Sequence, residues 1–327
     1  MRYMQIGKSD INASVVSLGS FGIGGGATWS DTTIDIQGTS KLLDAALENG
    51  VNMIDAAPVY GIGAGEILLG EALKGKRDKF ILQTKCGLNW RGESEVLEYV
   101  RDGKNVCRDL SAKAIRKDLE DCLSRLQTDY IDIFITHRQS DIVSVEETMG
   151  ELLKMVTEGK IRAVGISNAT PDRLKDYTKI GHVDMVQEKF SLLSRQNEKE
   201  YIPVCEEIGT TFQVFSSLEA GSLTGPQVIG NTYPAGDFRG YFKWFKEEMR
   251  PYMEAFYNQL SPLCDKYDCS YANLVQAWTL HQSPVINLLT GIRRIESLKD
   301  SIKAVDISLD DADVAKIQAE ADKLLAL

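Results

Sequence analysis

Eight short apolar or β-branched runs recur along this chain, and segments with helical patterning separate them. The runs lie at residues 14–18, 53–55, 80–84, 131–136, 161–166, 184–187, 211–215 and 285–289. Such alternation points to a parallel sheet covered by helices, because parallel neighbours need a crossover long enough to hold one. Eight units suit a closed (β/α)8 barrel, although a doubly wound open sheet has the same local pattern. In residues 111–127 the stripe Ile115, Leu119, Cys122, Leu123 and Leu126 forms one apolar helical face. Ser144 and Glu147 have capping-box spacing ahead of the stripe Val145, Met149, Leu152, Leu153 and Val156, and Gly159 stands where that helix should stop.

Two segments break the rhythm, 90–109 and 218–250. Both follow predicted strands, so in a barrel they lie over the C-terminal face, where active sites are built. No linker, composition shift or low-complexity tract divides the 327 residues, and a single domain over 1–327 is expected. Hydrophobic residues make up 43% of the chain, enough for a large core. A net charge of -10 argues against nucleic acid as a partner, since phosphate binding wants clustered Lys and Arg. No stretch approaches the roughly 20 apolar residues of a membrane span, and the opening MRYMQIGKSD has no apolar leader core. A cytoplasmic protein without a membrane partner is the expectation. Cys86, Cys107, Cys122, Cys205, Cys264 and Cys269 form no CxxC pair and read as reduced thiols.

Chemistry concentrates at strand ends. Asp55 closes MID, Lys85 closes FILQTK, His137 closes IDIFITH, and Tyr60 follows in the loop DAAPVYG. A charge finishing an apolar strand is costly to bury unless paired. Singly, each also fits a solvated end or a structural ion pair; four together after consecutive strands supply a working acid. A free tyrosine ionises near pH ~10. A neighbouring lysine is expected to pull that value down, and a carboxylate to keep the lysine charged. A nearby histidine could aim and polarise a carbonyl oxygen. A Schiff-base aldolase using Lys85 is a competing reading, but it needs a lysine stripped of charge, which Asp55 opposes. The histidines are His137, His182 and His281, and no HxH or HExxH spacing occurs, so no metal is expected. Gly22, Gly24, Gly25 and Gly26 lack GxGxxG spacing and read as a loop near the substrate.

The stretches MRYMQIGKSDINASVVSLG, NGVNMIDAAPVYG, GEILLGEAL, TDYIDIFITH, GKIRAVGISN, VQEKFSLLSR, SSLEAGSLTG and GIRRIESLKDSIKA together resemble the aldo-keto reductase family over essentially the whole chain. The style is that of its bacterial-type, short-loop branch, which often acts on sugars, polyols and small aldehydes. The resemblance implies a (β/α)8 TIM barrel with an N-terminal β-hairpin. It also implies hydride transfer between NADPH, with NADH as the alternative, and a small aldehyde, ketone, sugar or polyol. Asp55, Tyr60, Lys85 and His137 take the family's catalytic positions. For the cofactor it implies Ser20, Phe21 and Asp55, with Ser167, Asn168 and Gln187 at the carboxamide. Phe215 would stack on the nicotinamide, and the Ser216 and Leu218 backbones would approach the pyrophosphate. Gly291, Arg293, Arg294, Ser297, Asp300 and Ser301 would hold the adenosine and its 2′-phosphate, for which guanidinium groups are apt. Phe21, Trp29, Trp90, His137 and Arg138 would face the substrate.

The sequence departs from the family pattern at Ala57 and Pro58, at Arg138 in place of an aromatic, at Ser301 in place of an asparagine, and in NLLTG and SSLEAG, which lack a usual proline. A cofactor-binding sensor or regulatory subunit on the same fold is the second reading.

Overall fold

A computed structural model describes residues 1–23, 34–94, 96–234, 237–291 and 293–327. Trp29, Gly24, Gly25 and Gly26 lie outside the described residues. Strands β1 (Tyr3–Gln5) and β2 (Asn12–Ser14) pair antiparallel as the expected hairpin. β3 (Val16–Gly19), β4 (Met53–Asp55) and β5 (Ile81–Cys86) begin the barrel. After β5 come β6 (Leu88–Asn89), β7 (Leu97–Arg101) and β8 (Lys104–Arg108), a small antiparallel sheet of their own. The barrel resumes with β9 (Ile131–Thr136), β10 (Ile161–Ser167), β11 (Met185–Lys189), β12 (Thr211–Phe215) and β13 (Ile286–Gly291). Neighbouring barrel strands run parallel, and β13 pairs with β3 to close the ring. All eight predicted runs are barrel strands.

Helices occupy the crossovers. α1 (Ile36–Glu48) and α2 (Ala64–Ala72) follow β3 and β4, and α3 (Ala112–Leu126) precedes β9. α4 (Val145–Thr157), α5 (Pro171–Thr178) and α6 (Tyr201–Ile208) continue the alternation. α7 (Arg250–Lys266) and α8 (Tyr271–His281) lie between β12 and β13, and α9 (Ile295–Ser301) and α10 (Asp311–Leu325) complete the chain. Among the described residues no helix is long and apolar enough to cross a membrane.

One expectation is corrected here and another is given its form. Ser144 accepts from the Glu147 amide, but the Glu147 carboxylate does not return the bond. It caps α3 instead, accepting from the Ala112 amide at 2.9 Å. The reciprocal capping box belongs to Ser270 and Asn273 on α8. The segment 90–109, which broke the strand–helix rhythm, is largely the β7–β8 hairpin. Asp102 and Gly103 make its turn, both with positive φ (49° and 71°), as a tight right-twisting hairpin demands.

Alternation along each strand sends every second side chain inward. The registers Asp55↔Gln83, Gln83↔Ile133, Gln187↔Gln213 and Gln213↔Asn287 put these residues at one height. Met53, Ile81, Ile133, Ile135, Ala163 and Met185 form an apolar cluster within the barrel. Ile6, Ile11 and Ala13 of the hairpin segment join that cluster, so the hairpin stoppers the barrel. On β5, Lys85 stands one step nearer the C-terminal end than Gln83, Ser167 pairs with Gln187 across β10 and β11, and His137 directly follows β9.

The stopper depends on close backbone approach at Gly7. Its φ is +54°, its amide donates to Thr211 Oγ1 at 2.9 Å, and a Cβ would fall 2.5 Å from Asp184 Cα. Gly7→Ala should therefore cost about 2 kcal/mol or more, combining backbone strain with a backbone clash. Thermal unfolding is expected to show a midpoint several degrees lower; an unchanged midpoint would refute this account of the closure.

Candidate active site

β4 and β5 lie side by side, and their inward residues Asp55 and Lys85 meet above the amide layer. Both are 1% exposed. Lys85 Nζ donates to Asp55 Oδ1 at 2.6 Å, to the Ala56 carbonyl at 2.8 Å and to Tyr60 Oη at 3.1 Å. Tyr60 in turn donates to Asp55 Oδ2 at 3.4 Å. The tyrosine reaches this point because the loop after β4 folds back at once: the Tyr60 amide donates to the Ala57 carbonyl, and Ala57, Pro58 and Val59 are buried. His137 presents its ring edge-on to Tyr60, with centroids 6.3 Å apart. Its amide donates to the Cys86 carbonyl. Thus the four residues singled out from strand ends do converge.

Burial dominates the electrostatics and corrects one expectation. Tyr60 was expected to be drawn down by Lys85. Instead burial, reinforced by the Asp55 charge and hydrogen bond, pushes its pKa well above the usual tyrosine value. Burial also pushes Lys85 below its ordinary value, while Asp55 and Glu66 pull the other way. His137 is held well below the usual histidine value, first by burial and then by Lys85 and Arg138, so its imidazole is neutral. The site thus holds a protonated phenol beside a neutral imidazole at neutral pH. His137 Nδ1 is buried without a hydrogen-bond partner among the described residues.

The expected cofactor residues gather on the same face. Ser20 is buried, and its amide donates to the Asp55 carbonyl at 2.9 Å, which places it beside β4. Phe21 packs edge-on to the Tyr60 ring at 5.0 Å. Ser167 Oγ donates to the Gln187 carbonyl, and Asn168 Nδ2 donates to the His137 carbonyl at 2.9 Å. Asn168 sits at φ 52°, and the turn it makes is anchored by Glu188, which accepts from the Ala169 amide at 2.6 Å. Burial pushes the Glu188 carboxyl up to about 7. Phe215 is half-buried at the end of β12, and Ser216 follows it with φ 57°. Leu218 is half-buried beyond them.

Around β13, Gly291 is exposed, and a Cβ there would meet nothing within 4 Å. Arg294 is exposed, whereas the aliphatic stem of Arg293 lies against Gly22. Ser297 is half-buried and Ser301 buried on α9. Asp300 is half-buried and accepts from Ser270 Oγ at 3.0 Å at the start of α8. Two substrate-wall expectations also acquire other partners. Arg138 is ion-paired to Glu98 of the β7–β8 hairpin at 3.5 Å. The Trp90 ring is flanked by Lys104 and Arg125 and packs with Val59, Leu88 and Val106. A nicotinamide cofactor suits this face: Gln187 Oε1 accepts no hydrogen bond among the described residues, and the β13 end is clear at Gly291.

Sequence reasoning named Gln187 only for the carboxamide and missed the amide layer it belongs to beneath the site. Gln83 and Gln187 both donate to Asp55 Oδ1, at 2.6 and 2.9 Å. It also missed Glu66, fully buried behind the site, which accepts from Thr84 at 2.5 Å and Arg125 at 2.7 Å. The available signal was polar residues at inward positions of apolar strands.

Residues 16–322 match the model of the aldo/keto reductase family. An NADH-specific methylglyoxal reductase of Escherichia coli (strain K12) is 36% identical over 99% of both chains. An aldo-keto reductase of Bacillus subtilis (strain 168) is 32% identical over 90% of this chain and 86% of its own. Among solved structures, a glycerol dehydrogenase from Gluconobacter oxydans superposes with a TM-score of 0.86 at 30% identity, covering 99% of this chain and 95% of that one.

The buried pair makes its own prediction. Asp55→Asn leaves the Lys85 ammonium in the barrel without its counter-charge, which should cost about 3 kcal/mol. Urea unfolding is expected to show a clearly lower midpoint, and a wild-type midpoint would contradict a structural role for the pair.

Proposed function

The chain belongs to the aldo/keto reductase family of NAD(P)H-dependent oxidoreductases, and on that premise we propose that Tyr60 exchanges the proton as small polar carbonyls are reduced. The observation that carries this reading is the Tyr60 hydroxyl, which accepts from Lys85 at 3.1 Å and donates to Asp55 at 3.4 Å. NAD(P)H, when bound, supplies the hydride. Gln187, Asn168 and Ser167 would hold its carboxamide, Phe215 its ring, and Ser216 and Leu218 its pyrophosphate. Ser20, Phe21 and Gly291 would border it. Tyr60 gives its proton to the carbonyl oxygen, Lys85 and Asp55 hold the hydroxyl in place, and neutral His137 aims the oxygen. Lys85 is poorly suited to attack a carbonyl itself, because Nζ is committed to three partners and the residue is 1% exposed.

The relatives' names include methylglyoxal and glycerol, both three-carbon oxygenated compounds. They support a short 2-oxoaldehyde or its polyol counterpart as the substrate class. On the cofactor, two observations favour different forms. Arg293 and Arg294 support NADPH through its 2′-phosphate. A relative named NADH-specific supports NADH.

Three outcomes follow. Tyr60→Phe should lower turnover of methylglyoxal about 10²- to 10⁴-fold while leaving nicotinamide binding intact; retained turnover would remove Tyr60 from its role. The raised Tyr60 pKa has a definite sign. Reduction needs the phenol, so kcat/KM should stay level through neutral pH and fall only on the alkaline side. Oxidation of the alcohol needs the phenolate and should rise there; opposite limbs would exclude Tyr60 as the titrating group. Finally, Arg294→Ala should weaken NADPH binding roughly tenfold, the worth of a charge-assisted phosphate contact, and leave NADH binding unchanged. Tryptophan-fluorescence titration with both cofactors reads this, and equal responses would dismiss the 2′-phosphate contact.

A further inference from the structure

Below the ion pair, the barrel interior holds a closed ring of amide hydrogen bonds. Gln83 Nε2 donates to Asp55 Oδ1 at 2.6 Å and to Gln213 Oε1 at 2.6 Å. Gln187 Nε2 donates to the same two acceptors, at 2.9 and 2.7 Å. Each of these NH2 groups has two hydrogens, and both are used. Gln213 therefore stands opposite Asp55 as the second acceptor of the ring. Its own Nε2 donates to Asn287 Oδ1 at 2.9 Å. Asn287 Oδ1 also accepts from Ser17 Oγ at 2.7 Å, and its Nδ2 donates to the Ser14 carbonyl at 2.9 Å. The chain of amides thus runs from Asp55 across the barrel to the strand beside the hairpin.

Every member is buried, so water offers no alternative partner. The orientation of the amides follows from the Asp55 charge, since turning either glutamine would set a carbonyl oxygen against the carboxylate. One acceptor is sacrificed to that demand: Gln83 Oε1 is buried and unpartnered among the described residues. Gln187 is different. With both hydrogens committed downward, only its carbonyl oxygen remains to meet a ligand from above.

We infer that Gln213 is a positioning residue for the reaction: its carbonyl oxygen fixes the amides of Gln83 and Gln187, which holds Asp55 against Lys85 and leaves Gln187 Oε1 as a fixed acceptor for the nicotinamide carboxamide. This rests on the reductase reading above. Without Gln213 Oε1, the Gln187 amide is free to turn, and Asp55 Oδ1 loses the rigidity of two of its three donors. Asp55 then bears more strongly on the Tyr60 hydroxyl, which should move the proton donor's titration upward.

The test uses the full-length protein with Gln213→Met, which keeps length and removes both hydrogen-bonding atoms, and Gln213→Glu. The introduced carboxyl, kept neutral by burial near Asp55, restores one acceptor and one donor, so this conservative variant should behave as wild type near pH 7. Three readouts are needed: NADH and NADPH dissociation constants by fluorescence titration, pH profiles of kcat and KM in both directions, and thermal unfolding.

The expected result for Gln213→Met is cofactor binding weakened about fivefold or more, the loss of one well-placed hydrogen bond. An upward shift of the alkaline limb should accompany it, with recovery of affinity in Gln213→Glu. A folded Gln213→Met protein with wild-type affinity and wild-type limbs would overturn the inference. So would equal losses in the Met and Glu variants. If Gln213→Met does not fold, Gln83→Met removes one leg of the ring and must shift the alkaline limb in the same direction; an unshifted limb there overturns it equally. Failure of the underlying reading looks different: the wild-type protein itself would neither bind a nicotinamide cofactor nor turn over methylglyoxal.

Discussion

A lysine and an aspartate sealed inside a barrel are the constraint from which most of this structure follows. Two unit charges out of water each carry a desolvation cost of several kcal/mol, and close attraction repays it only when their remaining hydrogen-bonding atoms are satisfied. Here Lys85 finds an aspartate, a backbone carbonyl and a phenol, and Asp55 Oδ1 accepts three donors. The amide layer exists beneath the pair because an apolar layer there would leave the carboxylate under-solvated. The Tyr60 hydroxyl completes the lysine's set, so the group best placed for proton exchange is also part of what makes the charges tolerable. Stability and chemistry are coupled through the same few atoms.

This coupling explains the electrostatic direction at Tyr60. A lysine alone would favour the phenolate, but the same enclosure that brings the lysine near also brings the aspartate, and burial disfavours any ionised phenol. The neutral acid is the resting form. His137 is neutral for the related reason that burial and two cations oppose a third positive charge. The raised value keeps the phenol protonated through neutral pH and confines the phenolate to alkaline conditions.

Much of this was legible before any coordinates. The eight strands showed because buried parallel strands are continuous apolar runs, and Asp55, Lys85 and His137 showed because charge at the end of such a run is conspicuous. The amide layer did not. Gln213 and Asn287 are 74 residues apart in sequence, and only closure of the sheet shows that they share a height. The β7–β8 hairpin carried a local signal in Asp102 and Gly103, which a reading that noted only the break in rhythm did not use. The Glu147 side chain could not have been placed from spacing, because the α3 amide that captures it is 35 residues away in sequence. The contact of Asp300 with Ser270 at the start of α8 likewise spans 30 residues and has no local signal. Local pattern shows which residues are chemically able; tertiary competition decides whom they meet.

The hairpin stopper at the bottom of the barrel has a consequence for traffic. With Ile6, Ile11 and Ala13 packed onto the first interior layer, the N-terminal end of the barrel is closed by apolar contacts among the described residues. The residues with chemistry stand at the opposite end, beyond the amide layer, so packing at the closed end does not touch them. The two ends of one small fold are therefore free to change for different reasons: the sealed end answers only to packing, and the open end to whatever must come and go.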